Sequence, residues 1–198
     1  ADGMAALELL KRKAYDAVIL DVNMPRMSGI ELLEELRRHK ISVRVMMAST
    51  LTKDGAQVTL KALELGALDF IHKPSAVGLK LDVFKGEFLL TLEAVMNSKP
   101  PVYGLAPERP DRNFRTTASV SKGTVSGTKV VAIACSTGGP NALRVLIPRL
   151  PGNLNAPVLL VQHMPAGFTA SLADRLNSLS DINVKEAVEG EELKNGTV

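Results

Sequence analysis

Hydrophobic positions along this chain change period repeatedly, and each change marks an element. Leu7 and Leu10 sit at helical spacing, and "DAVIL" then forms a short apolar run of strand length. From Gly29 to Arg38, Ile30, Leu33 and Leu36 share one side of a helix, and "VRVMMAS" follows as a second strand. Asp54 to Leu65 reads as a helix closed by Gly66, a residue suited to the left-handed position after a helix. "ALDFIH" is a third strand that ends at Lys73-Pro74. Leu81, Phe84, Phe88, Leu92 and Val95 then recur three and four apart, the core stripe of a last helix.

The pattern lapses after residue 98. "KPPVYGLAPERP" and "TTASVSKGTVSGT" carry proline, serine, threonine and glycine with few large apolar residues, which is linker composition. From Lys129 a second series begins: "KVVAIAC", a helix, "APVLLVQ", another helix, then "NVKEAV" as a further strand. Strands separated by helices predict parallel sheets. The expected fold class is therefore α/β, with two doubly wound parallel-sheet domains at residues 1–98 and 129–198 and a linker at 99–128. The chain opens without Met and stops at "KNGTV", a turn entering a strand, so both domains are expected to be incomplete.

Composition narrows the function classes. The net charge of +3 suggests an acidic partner until its location is traced. Lys99, Arg109, Arg112, Arg115 and Lys122 outnumber Glu108 and Asp111 by three, so the linker holds the whole excess. A basic face with interleaved aromatics, as nucleic acid requires, is not the pattern. Runs such as "AVIL" and "VLLV" are far short of a membrane span, and the opening residues lack the plan of a signal peptide. A single cysteine excludes an internal disulfide framework and fits a reducing, cytoplasmic setting; with three scattered histidines it gives no zinc cluster.

Functional loops of open parallel sheets lie beyond the carboxyl ends of the strands. There the first domain carries Asp21, then Ser49, then Lys73. A carboxylate acceptor, a hydroxyl and an ammonium on one rim suit phosphoryl transfer to Asp21, although each alone also fits a cap or a solvated side chain. "ILDVNMPRMSGIELL", with "MMAST" and "FIHKP", resembles the receiver domain of two-component response regulators, a flavodoxin-like fold. The resemblance implies Asp21 as phosphoacceptor, Ser49 as switch hydroxyl, Phe70 as switch aromatic and Lys73 as the lysine of the pattern. It also implies Mg²⁺ held by Asp21 and the backbone carbonyl of Asn23. The family's acidic pair lies on a strand before this chain begins, so weak Mg²⁺ binding and slow phosphorylation are expected of it.

"ACSTGG" runs from strand to glycine turn to helix. That setting suits a nucleophilic Ser136, and equally a phosphate cradle or a helix cap, with Pro140 at home in the first helical turn. His163, just after "APVLLVQ", distinguishes these readings. If the two strands are neighbours, hydroxyl and imidazole emerge side by side, the minimum apparatus for acyl transfer. His39 sits on a polar helix face, His72 stands beside Lys73, and Cys135 reads as a small buried hydrophobe.

"IACSTGGPNALRVLIPRLP", "APVLLVQHMPAGFTASLADRLN" and "VKEAVEGEEL" together resemble the effector domain of the chemotaxis methylesterases, a Rossmann-like fold. The resemblance implies Ser136 as nucleophile, His163 as general base and Thr137 in support. It implies hydrolysis of glutamate methyl esters and deamidation of glutamines on chemoreceptors, controlled by a chemotaxis histidine kinase acting on Asp21. The esterase site needs no cofactor. Ala134-Cys135 replaces the family's glycine-alanine pair, and the family's triad aspartate lies beyond Val198, so this stretch alone is expected to be nearly inactive. Two other readings remain: a DNA-binding response regulator, which needs a helix-turn-helix after the linker, and a nucleotide-binding module using "STGGP".

Overall fold

The computed structural model of the protein describes residues 2–49, 53–74, 81–103 and 129–198. Its first unit runs α1 (Gly3–Arg12), β1 (Ala17–Asp21), α2 (Gly29–Arg38), β2 (Arg44–Ser49), α3 (Lys53–Glu64), β3 (Asp69–His72) and α4 (Leu81–Asn97). The second runs β4 (Val131–Cys135), α5 (Gly139–Leu146), a 3₁₀ turn at Ile147–Arg149, β5 (Val158–Gln162) and α6 (Phe168–Leu179). All named strand pairs are parallel, in the orders β1-β2-β3 and β4-β5. The α/β class with parallel sheets read from the sequence is the one observed.

Helix α2 shows why these residues form these elements. Ser28 accepts from the Glu31 backbone N–H while the Glu31 carboxylate accepts from the Ser28 N–H, a reciprocal cap that also holds the Glu31 carboxyl below its usual range. Leu32, Leu33 and, one turn on, Leu36 are fully buried. Gly29 lets the start of this helix lie against the end of β1, since a Cβ there would stand 2.2 Å from the Asp21 carbonyl oxygen. The face of β2 bearing Met46 packs with Ile71 and Val95, and the α4 stripe of Phe84, Phe88 and Leu92 leans on that cluster. Leu81, counted in that stripe from its spacing, is exposed.

Two expectations need correction. "NVKEAV" forms no named strand: only Asn183 bridges to Thr197, with the Asn183 and Lys185 N–H groups donating to the Gly196 and Val198 carbonyls. Residues 99–103, assigned by composition to the linker, pack on the first unit. Ser42 donates to the Pro101 carbonyl at 2.8 Å, Arg44 to the Ser98 carbonyl at 2.7 Å, and the Tyr103 ring fills the space above Gly66. Burial pushes the Tyr103 phenol upward from its ordinary value. Linker residues 104–128 lie outside the described residues.

One face of the two-stranded sheet carries Ile133, Cys135 and Leu160 towards α5 and α6, in a core with Leu143, Ile147, Phe168, Leu172 and Leu176. The opposite face, with Ala132, Ala134, Leu159 and Val161, is exposed. A methyl added at Gly29 has no room between α2 and β1. Gly29→Ala is therefore expected to lower unfolding free energy by about 1–3 kcal/mol in urea titration, with the loss confined to the first unit.

Candidate active site

Strand β4 pairs with β5 so that Cys135 lies opposite Gln162. The next residue on each strand is Ser136 and His163, so parallel pairing delivers both to one rim. Ser136 Oγ stands 3.5 Å from His163 Nδ1, at the outer limit of a hydrogen bond, and both side chains are exposed. Catalytic hydrogen bonds are often long before substrate closes the site.

Gln162 fixes this geometry. Its Nε2 donates to the carbonyl oxygens of both Ser136 and His163 at 3.0 Å. The two strand ends are thereby tied to a single amide, and the His163 N–H adds a 2.9 Å bond to the Cys135 carbonyl. Gly139 admits that amide: a Cβ there would fall 1.9 Å from Gln162 Oε1 and 2.8 Å from the Cys135 Cβ. Gly138 turns the chain with φ +74, and Pro140 enters the first turn of α5. The serine is thus not the helix cap; Gly138 holds that position without a side-chain bond. Sequence reading missed Gln162. Its signal was a polar residue closing the otherwise apolar strand "VLLVQ".

At the other rim, Asp21 pairs in register with Ala48, and Ser49 with His72. Lys73 Nζ lies 2.5 Å from Asp21 Oδ2, while Asp21 Oδ1 accepts from the Asn23 backbone N–H at 3.2 Å. The Ser49 hydroxyl accepts from Thr59 of α3 at 2.8 Å and is almost completely buried. Asp21, Ser49 and Lys73 therefore end three successive strands on one edge. Among the described residues no three His, Cys, Asp or Glu side chains gather to hold a cation. With both Asp21 oxygens already engaged, the groups present do not fit a Mg²⁺ site by themselves.

Phe70 lies away from that rim, at the junction of the two units. Its ring stacks on Phe168 with centroids 5.1 Å apart and planes 10° from parallel, and His72 meets Phe168 edge-on at 6.2 Å. Both His72 ring nitrogens are buried without a hydrogen-bond partner. Asn141 Nδ2 donates to the Ala67 carbonyl at 3.2 Å, and Arg175 Nε reaches Glu64 Oε1 at 2.6 Å. Asp69, also missed from sequence, lies in this junction. Burial pushes its carboxyl above the usual carboxylate range, against the opposing pull of the Thr137 hydroxyl, the Phe70 N–H and the His163 charge. A cleft of about 900 Å³ opens between α3 and α6, lined by Gln57, Lys61, Asp174 and Arg175 among others, and does not include Ser136.

Among the described residues no helix is long and apolar enough to cross a membrane. Residues 1–81 match the response regulator receiver domain, and residues 131–198 match CheB methylesterase. The protein-glutamate methylesterase/protein-glutamine glutaminase of Thermotoga maritima is 42% identical over all of this chain and 55% of its own length. The Bacillus subtilis protein of the same name is 44% identical over all of this chain and 56% of its own. The chain thus spans about half the length of the curated relatives it matches. Among solved structures, the T. maritima CheB methylesterase catalytic domain is 56% identical, covering 36% of this chain and 38% of that one with a TM-score of 0.35. The response regulator domain of T. maritima CheB is 37% identical, covering 50% and 74% with a TM-score of 0.42. In chain order, the protein carries a response regulator receiver segment followed by a CheB methylesterase segment.

Proposed function

We propose that the whole protein hydrolyses glutamate methyl esters on chemoreceptors, deamidates receptor glutamines by the same acyl chemistry, and is switched by phosphorylation of Asp21. The observation that carries the reading is the placement of Ser136 Oγ 3.5 Å from His163 Nδ1 on adjoining strand ends of the methylesterase segment. Ser136 attacks the ester carbonyl while His163 takes its proton. The tetrahedral oxyanion collapses to an acyl-enzyme as methanol leaves with that proton, and water then releases the glutamate carboxylate. The Thr137 and Gly138 N–H groups lie at the start of α5, where unpaired donors and the helix dipole favour an oxyanion.

The receiver's part is regulatory. Lys73 balances the Asp21 carboxylate, and a phosphoryl group there adds charge that the ammonium and the Ser49 hydroxyl are placed to answer. Lys73 directly follows β3, whose Phe70 and His72 rest on Phe168 of the effector. Rearrangement at Lys73 is therefore close, along four residues of chain, to the interdomain contact. Magnesium belongs to this proposal only with further carboxylates around Asp21. A cytoplasmic chemotaxis kinase is the expected phosphodonor. The matched second family is an esterase, which leaves the DNA-binding reading without support.

Methanol release from methylated receptor by the whole protein is expected to fall at least about a thousandfold in Ser136→Ala. Full activity in that variant would refute the assignment. Gln162→Ala frees the two strand ends without touching a reacting atom. It is expected to lower kcat on the order of tenfold to a hundredfold with KM little changed, read from initial rates across substrate concentration.

A further inference from the structure

The loop from Val22 to Ser28 leaves β1 directly after Asp21, and its backbone touches that carboxylate: the Asn23 N–H donates to Asp21 Oδ1 at 3.2 Å. Lys73 takes Oδ2, so each carboxylate oxygen is held by one group. The far end of the loop is tied elsewhere. Arg26 donates from both Nε and Nη2 to Oδ2 of Asp2, whose Oδ1 accepts from the Ala5 N–H as the N-cap of α1. The Asp2 side chain is nearly buried, so loss of the guanidinium would leave a buried charge unpaired. Arg26 makes this pair with its backbone at φ +65°, a left-handed turn that crowds the Cβ of any residue but glycine. Beside it the loop presses on the start of α1: a Cβ on Gly3 would stand 2.5 Å from the Met27 carbonyl oxygen.

We propose that Asp2 and Arg26 form a clasp that positions the Val22–Ser28 loop, and with it the Asn23 N–H on Asp21, for phosphoryl transfer. The inference rests on the reading of Asp21 as phosphoacceptor. In that transfer an Asp21 carboxylate oxygen forms the new O–P bond while the bond from phosphorus to the donor's leaving oxygen breaks. With acetyl phosphate as donor, acetate departs with that electron pair. Neither Asp2 nor Arg26 touches the reacting atoms, so both are positioning residues. A non-glycine residue kept in a left-handed turn marks a backbone fixed by more than local preference. Here the fixing contact is the ion pair, made across 24 residues of chain. With the clasp open, the loop is free to lift the Asn23 N–H from Oδ1, and the carboxylate loses one of the two groups that orient it for attack.

The test is phosphorylation of the whole protein by acetyl phosphate, followed as the rate of acyl-phosphate formation on Asp21. Arg26→Gly suits the left-handed turn and removes the ion pair. Asp2→Asn keeps an Oδ1 to cap α1 and removes the charge. Each is expected to slow phosphorylation about tenfold, with urea unfolding midpoints little changed and with Arg26→Lys restoring part of the rate. Because both substitutions cut one contact, the double variant is expected to be no slower than either single one. In the isotopically labelled 198-residue chain, the Asn23 amide NMR signal is expected to move towards that of an unbonded amide in both variants. Unchanged rates, effects that add in the double variant, slowing matched by lost stability, or an unmoved Asn23 signal overturns the proposal. An Asp21→Asn protein that still takes up the phosphoryl group at the full rate would instead sink the phosphoacceptor reading beneath it.

Discussion

The chemistry of this chain depends on the register between β4 and β5. Parallel pairing sets Cys135 against Gln162, and the next step along each strand exposes Ser136 and His163 on the same rim. Strand slippage by one residue would send one of the two side chains to the opposite face and end the pairing. The Gln162 amide opposes such slippage because it bonds to the carbonyl of each strand end. Gly139 is required for the amide to fit. The closeness of the serine and histidine backbones is thus a consequence of backbone hydrogen bonding reinforced by one side chain.

The same design appears at the receiver rim with different chemistry. Gly29 allows α2 to approach the Asp21 carbonyl, as Gly139 allows α5 to approach Gln162 and Cys135. In both units a helix begins against the end of a strand that carries the reactive side chain. The units meet through β3, a strand of four residues with Lys73 immediately after it and Asp69 at its start. Phosphoacceptor partner and junction carboxylate are thus separated by one short strand. Physical proximity of this kind provides a route for coupling.

Much of this was legible in the sequence, for identifiable reasons. Helix α2 was read with its observed bounds from the spacing of Ile30, Leu33 and Leu36, and the Ser28 cap seen in the structure agrees with that reading. Asp21, Ser49 and Lys73 were found together because polar residues ending apolar strands stand out against their background, and the same contrast exposed Ser136 and His163. Tertiary facts were not legible. Composition placed Lys99–Tyr103 in the linker, whereas Ser42 bonds Pro101 and Gly66 makes room for Tyr103 on the receiver. "NVKEAV" was read as a strand, yet only Asn183 forms a bridge, to Thr197. Gln162 carried a local signal as the polar end of an apolar strand, but its bond to the Ser136 carbonyl, 26 residues away, was not legible, and neither was the burial of Asp69.

Asp69 illustrates why such residues escape a reading by periodicity. In "ALDFIH" it looks like an ordinary polar position beside a buried aromatic, and an acidic residue at a strand start invites no question. Its surroundings are set only when Phe70 stacks on Phe168, because that contact brings the second unit against the start of β3, where burial pushes the carboxyl above its usual range. A purely structural interface would favour an apolar residue there, since an ionised group must shed hydration on docking. Retaining a carboxyl at that cost makes the junction weaker than the aromatic stack alone would make it. A weakened junction is the easier one to open, which is what the proposed switching by a phosphoryl group at Asp21 requires.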